Sequence, residues 1–348
     1  MKREARNGAG EQARSGKAML DGVKQLFSGR ERIVVLAADH RYFGVVAGLE
    51  NPGKVLTPLL PYVDALMTDP GVLRNAFPRS LERPVIMRAS GCTTTMSIPV
   101  PGYLQEPAKL AYQQRTGRDF DKTFQEYKAK VDAGKATAQE YEEYQVLESC
   151  VNMPDTIANE RLILGAQEVV KEGGAAAAVS VYLKTEHQSQ TLDNLATMSR
   201  QAREMGLPVL GVVAVGDALG YLEKDSDFLT RAGAILVAHG ADLVKTYNCG
   251  KGFERVIETC GVPVIVAGGK MPKGVDETRD SLELAYDSIQ RGARGIDFGR
   301  RVWRHQHPVA MIQALRAVVH EGRTPDQAYE IFQEHKEGAL AGLKERRG

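Results

Sequence analysis

Cysteine is scarce in this 348-residue sequence, tryptophan occurs once, and the charges almost cancel. Each shortage excludes something. The four cysteines, Cys92, Cys150, Cys249 and Cys260, form no C-x-x-C pair, so neither a zinc ribbon nor a dithiol redox motif is spelled out. They read as reduced, buried thiols of a cytoplasmic protein. His40, His187 and His239 are scattered, and no metal site is expected from them. With 45 basic and 44 acidic residues, the chain has no global field to attract nucleic acid or a membrane surface. No apolar run reaches the roughly 18 residues needed to span a bilayer. The charged opening, MKREARNGAGEQARSGK, lacks the apolar core of a secretory signal, and residues 1–16 are expected to be a flexible tail. No G-x-G-x-x-G follows the first candidate strand, which disfavours a Rossmann oxidoreductase.

Short apolar runs rich in Val, Ile and Ala are plentiful. They cover Arg32–Ala38, Val63–Thr68, Pro84–Arg88, Ala175–Tyr182, Pro208–Ala214, Asp242–Thr246, Pro263–Ala267 and Gly295–Phe298. The runs are continuous rather than alternating, as in parallel strands buried on both faces. Helical patterns separate them. Leu192–Met205, Asp227–His239 and Asp276–Arg291 each stop at a glycine, Gly206, Gly240 and Gly292, a usual helix terminator. Eight alternating β and α segments predict an α/β fold closed into a (β/α)8 TIM barrel, one domain over residues 17–348.

One interval is too long for a loop and helix. Between strands three and four lies a charged, tyrosine-rich insertion at about 99–150. Asp132-Ala133-Gly134 reads as a turn between two helices, and Thr137 with Glu140 as a capping box. This predicts a helical hairpin after strand three. It suits a lid, an oligomer contact, a surface for a larger co-substrate, or a peripheral hairpin.

Barrel chemistry sits where strands end. Strand one ends in Asp39-His40: the carboxylate suits proton exchange with an amine or carbinolamine, or plain capping. Arg88 closes strand three and joins His40 among the substrate-binding candidates. Strand four ends at Tyr182, with Lys184 just beyond, a phenol near a cation that suits acid–base work. Strand six carries Lys245 inside the apolar run ADLVKT. Burying an ammonium is costly, and desolvation favours the neutral amine that attacks carbonyls; snorkelling or pairing with an acid is the other reading. Strands seven and eight end in Gly268-Gly269-Lys270 and Gly299-Arg300. Glycines there let backbone N–H groups approach a phosphate, and the cations complete an anchor.

The stretches AADHRYF (37–43), GLE (48–50), DALMTDPGVLR (64–74), RPVIMRASG (83–91), EHQS (186–189), VKTYNCGKGFERV (244–256), PVIVAGGK (263–270) and GIDFGRRVWRHQHPVAM (295–311) carry a resemblance. Together they resemble the class I aldolases of the archaeal-type fructose-bisphosphate aldolase group, including its autoinducer-2 processing thiolases, which act on 3-hydroxy-5-phosphonooxypentane-2,4-dione. The resemblance spans nearly the whole barrel. It implies that Lys245 is the Schiff-base lysine, Asp39 the strand-one carboxylate and Tyr182 the general acid/base. It implies phosphate binding at Gly268, Gly269, Gly299 and Arg300, ring-like homo-oligomers and no metal. Two departures stand out: the insertion, and LKTEHQS after Tyr182, which puts Lys184 where relatives have a small residue.

Three functions compete. The first is a class I aldolase or transaldolase acting on a phosphorylated ketose-like substrate through a lysine imine, without a further cofactor. The second is thiolase-like acyl transfer from a phosphorylated diketone, with coenzyme A as co-substrate. The third is a non-catalytic metabolite-binding barrel with the insertion as its partner surface.

Overall fold

The computed structural model describes residues 21–44, 46–78, 81–93, 98–99, 102–153, 158–215, 217–269, 271 and 274–345. Residues 1–16 and Lys270 lie outside them. The chain divides into two compact units, 93–157 and the remainder.

The larger unit is the barrel. Its strands are β1 (Ile33–Ala37), β2 (Ala65–Thr68), β3 (Val85–Arg88), β4 (Ala176–Val181), β5 (Val209–Val213), β6 (Leu243–Thr246), β7 (Val264–Ala267) and β8 (Gly295–Phe298). They close in the order β1-β8-β7-β6-β5-β4-β3-β2, and every neighbouring pair is parallel. The expected (β/α)8 barrel is the observed fold, with strands trimmed by a residue or two at their ends. Helices cover the outside. Those at Ser226–Ala238 and Glu277–Gln290 begin on Asp225 and Asp276, whose carboxylates accept the first free backbone N–H groups. They are followed by Gly240 and Gly292 at φ 98° and 101°, a left-handed turn that glycine adopts without strain. The helix after β4 runs Gln188–Arg203, starting a turn earlier than the apolar periodicity suggests.

Side chains along each strand alternate between barrel interior and helix layer. Ile33, Val35, Ala65, Met67, Ile86, Ala176, Ala178, Leu210, Val212, Leu243 and Ile265 form one buried cluster, the apolar plug of the barrel. Val34, Leu36, Leu66, Ile296 and Phe298 pack outward with the helices. This parity decides which later residues on each strand point into the mouth.

The smaller unit holds three helices, Gly102–Thr116, Phe120–Asp132 and Ala138–Val151. The expected hairpin is thus preceded by a third helix. The foreseen capping box is present: the Glu140 carboxylate accepts from the Thr137 backbone N–H at 2.9 Å, and Thr137 Oγ1 accepts from the Glu140 N–H at 3.2 Å. Tyr112, Phe120, Tyr127, Tyr144 and Leu147 form its own core. Glu143 accepts from the hydroxyls of Tyr112 and Tyr127 at 2.7 and 3.0 Å and pairs with Arg118. No helix among the described residues is long and apolar enough to cross a membrane.

Candidate active site

Two residues beyond the plug, the same parity turns polar. Lys245 follows inward Leu243, Arg88 follows Ile86, Ser180 follows Ala178, and Asp297 follows Gly295. All four are buried. A layer of charge therefore sits on a hydrophobic floor, where an unpaired ion is expensive.

Lys245 meets that cost with Asp297. Their side chains form an ion pair at 2.6 Å, Nζ to Oδ2, with 10% and 0% side-chain exposure. Beneath it, Nζ lies 3.6 Å from Met67 Sδ. Apart from this pairing, neither Asp297 oxygen has a hydrogen-bond partner among the described residues. Burial pushes the Asp297 carboxyl above its ordinary range, with Lys245 opposing and Asp39 adding. Of the two sequence readings of Lys245, the acid partner is present, and it makes Asp297 the nearest acceptor for an ammonium proton.

Asp39 lies just past β1. Arg88 donates to its Oδ2 through Nε at 2.9 Å and through Nη2. Burial alone would raise this carboxyl, but Arg88, Lys245 and His40 outweigh it and hold it well below the carboxylate range. Asp39 is thus an ion at any physiological pH. Arg88, an expected substrate-binding residue, also donates to Ser180 Oγ, and its guanidinium carbon sits 5.0 Å from the centre of the Tyr42 ring. His40 Nδ1 lies 3.7 Å from Asp39 Oδ1. Desolvation pushes the imidazole down to about 4 against the pull of Asp39, helped by Arg300, Lys245 and Arg88, so it is neutral at pH 7.

Tyr182, one residue past β4, is buried and donates to Glu160 Oε1 at 3.3 Å. Tyr42 donates to the same oxygen at 2.7 Å, and Ser90 donates to Oε2. Burial, then the Glu160 charge, raise the Tyr182 hydroxyl far above the ordinary phenol range, with Arg88 opposing. Tyr182 is therefore a neutral donor.

The ends of β7 and β8 meet. Arg301, buried, donates to the Gly268 carbonyl and pairs with Asp280 at 2.6 Å. In a planar trans peptide the Gly269 N–H then points the opposite way from Arg301. A Cβ on Gly299 would lie 2.4 Å from the Ala37 carbonyl oxygen, so only glycine lets β8 turn this tightly over β1. Arg300 follows, half-buried and near enough to His40 to act on it. Lys184 stands apart from this group: it is exposed, at φ 58°, with its ammonium 5.5 Å from the Phe228 ring centre. No three His, Cys, Asp or Glu side chains cluster to hold a metal among the described residues.

Sequence reasoning singles out neither Asp297 as a site residue, nor Arg301, nor Glu160. Strand parity gives a signal for Asp297, an acid at the inward position of an apolar strand. Glu160 has none, because it joins the site through the pairing of Arg161–Leu162 with Ser90–Gly91, just past β3, which the long intervening chain conceals.

A family model described as DeoC/LacD family aldolase matches residues 122–305. The 3-hydroxy-5-phosphonooxypentane-2,4-dione thiolase of Salmonella paratyphi A is 30% identical over 91% of this chain and 88% of its own. The protein of that name from Escherichia coli K12 is 29% identical over 88% and 83%. Among solved structures, an archaeal fructose 1,6-bisphosphate aldolase aligns at TM-score 0.60 and 19% identity, covering 88% of this chain and all of that one. A fructose-bisphosphate aldolase from Slackia heliotrinireducens aligns at 0.63 and 16%, covering 92% of each. These two speak for the barrel alone. With the family model matched over more than half its length and a 30% identical relative aligned across most of both chains, the protein belongs to the DeoC/LacD family of aldolases, enzymes that act on carbon–carbon bonds.

Proposed function

We propose that this enzyme makes or cleaves a carbon–carbon bond in a phosphorylated ketose-like substrate through an imine on Lys245. The observation that carries the reading is the buried Lys245–Asp297 pair at 2.6 Å, set on the inward face at the C-terminal end of the barrel. Lys245 passes a proton to Asp297, and the free amine attacks the substrate carbonyl. Loss of water gives the iminium. Cleavage then sends the bond's electron pair into the iminium as an enamine, while the proton of the substrate hydroxyl leaves by way of Tyr182. Ionised Asp39, held by Arg88, stabilises the positive iminium and accepts a hydrogen bond from the carbinolamine. The phosphate rests on the backbone of Gly268, Gly269 and Gly299, with Arg300 as the charged fork and neutral His40 beside it. Homo-oligomeric assembly and a cytoplasmic location belong to the same proposal.

A second reading keeps the imine but transfers an acyl group to coenzyme A. Its support is the name of the 30% identical relative, a thiolase acting on a phosphorylated diketone. Acceleration of diketone turnover by coenzyme A separates the two.

The test is to incubate the protein with dihydroxyacetone phosphate and borohydride and map the added mass by peptide mass spectrometry. The expected result is one adduct on Lys245, lost in Lys245→Ala. Saturating ligand with no adduct overturns the imine with this ketone.

A further inference from the structure

Glu160 is fully buried, at 0% exposure, and the chemistry above does not use it. A buried carboxylate needs partners, and it has three hydroxyl donors: Tyr42, Ser90 and Tyr182. Among the described residues no cation forms an ion pair with it, and the charge of Arg88 acts on it. Its position is built carefully. Arg161–Leu162 pairs antiparallel with Ser90–Gly91, just past β3, and Ile163 N–H donates to Ala89 O at 2.8 Å. The Glu160 carbonyl accepts from the side chains of Gln190 and Asn194 on the helix after β4. The backbone is thus pinned on both sides, and the carboxylate is aimed at the phenol end of Tyr182.

That aim bears on how Tyr182 works. A phenol facing a carboxylate in a buried site cannot become a stable phenolate, because two anions would share one low-dielectric space. Yet a general base must take a proton. Both conditions are met if the phenol hands on its own proton as it receives another.

We propose that Glu160 is the terminal acceptor of a proton relay running from substrate through Tyr182. In the step, the substrate O–H or C–H proton moves to the Tyr182 oxygen. The Tyr182 O–H proton moves to Glu160 Oε1 across the 3.3 Å contact. The electron pair of the broken substrate bond flows into the iminium and forms the enamine. Tyr182 begins and ends neutral, Glu160 ends protonated, and no charge is created on the phenol. Tyr42 and Ser90 remain donors to Glu160 throughout and fix its orientation. Glu160 does not touch substrate; it acts through Tyr182 and is a positioning residue. This role rests on the imine reading above.

The experiment uses dihydroxyacetone phosphate alone, since its iminium exchanges a carbon-bound proton without any partner aldehyde. Exchange into heavy water is followed by NMR, and the Lys245 adduct by borohydride trapping. In Glu160→Gln the amide fits the same space and the adduct forms as before, while exchange slows roughly 10²-fold, the usual weight of general acid–base help. Glu160→Asp, with the carboxylate restored, lies between the two. A second measurement needs no variant. Release of label from carbon-deuterated dihydroxyacetone phosphate shows a normal solvent isotope effect, because the Tyr182 O–H proton is in flight. No adduct in the unaltered protein overturns the imine and the relay together. An adduct with undiminished exchange in Glu160→Gln, with Glu160→Asp no better than Glu160→Gln, or with no solvent isotope effect overturns the relay alone.

Discussion

Replacing Asp297 with Asn tests the charge layer most directly. The Lys245–Asp297 pair spans 2.6 Å, with 10% and 0% side-chain exposure, and Asp297 has no other hydrogen-bond partner among the described residues. Removing one member of such a pair leaves the other uncompensated, a loss of about 3–5 kcal/mol. Asp297→Asn is therefore expected to unfold at lower urea, with that loss at pH 7 and an unchanged dependence on denaturant. It also loses the proton acceptor for Lys245, so trapping of dihydroxyacetone phosphate slows by about 10²-fold or more. The double variant Lys245→Met/Asp297→Asn removes the stranded ammonium as well and regains most of the stability, with no trapping at all. A pH test of the reverse deletion follows from burial, which raises Asp297. In Lys245→Met the carboxyl rises further, so the folded state binds a proton that the unfolded chain releases. Stability of that variant is then highest in acid and falls as pH climbs through the raised value. Wild-type stability and trapping rate in Asp297→Asn refute the coupling.

Arg300→Met should weaken the phosphate anchor. A charge-assisted contact is worth about 1.5–3 kcal/mol, so half-saturation by dihydroxyacetone phosphate rises roughly ten- to a hundredfold, while unphosphorylated dihydroxyacetone is unaffected. An equal shift for both ligands removes Arg300 from the anchor. At the opposite end of the barrel, Asp64 accepts from Val34 N–H at 2.8 Å, His320 at 2.7 Å and Arg316 at 3.1 Å. Burial opposes these contacts, yet they lower its carboxyl from 3.8 to about 2. The folded value lies below the unfolded one, so about 2 kcal/mol of stability is present above pH 4 and lost as pH falls through 2. Urea midpoints across that window should fall less in Asp64→Asn than in the unaltered protein; equal slopes refute the assignment.

Continuous apolar runs divided by helical patterns determined the eight-stranded barrel, because parallel strands buried on both faces leave little room for polar residues. The same local rules placed the capping box at Thr137 and Glu140, and the glycine stops at Gly240 and Gly292. A lysine inside strand six marked Lys245, since a buried ammonium demands a reason, and strand ends marked Asp39, Tyr182 and Arg300. Only the tertiary structure decided who partners whom. Closure of the barrel brings Asp297 to Lys245, 52 residues away in the chain, and Arg88 to Asp39. It leaves Lys184 exposed, at φ 58°. It also brings Glu160 back beside Ser90 to face Tyr182. Sequence periodicity reports which way a side chain points on its own strand; the partner it meets depends on closure, and that is set by contacts distant in the chain.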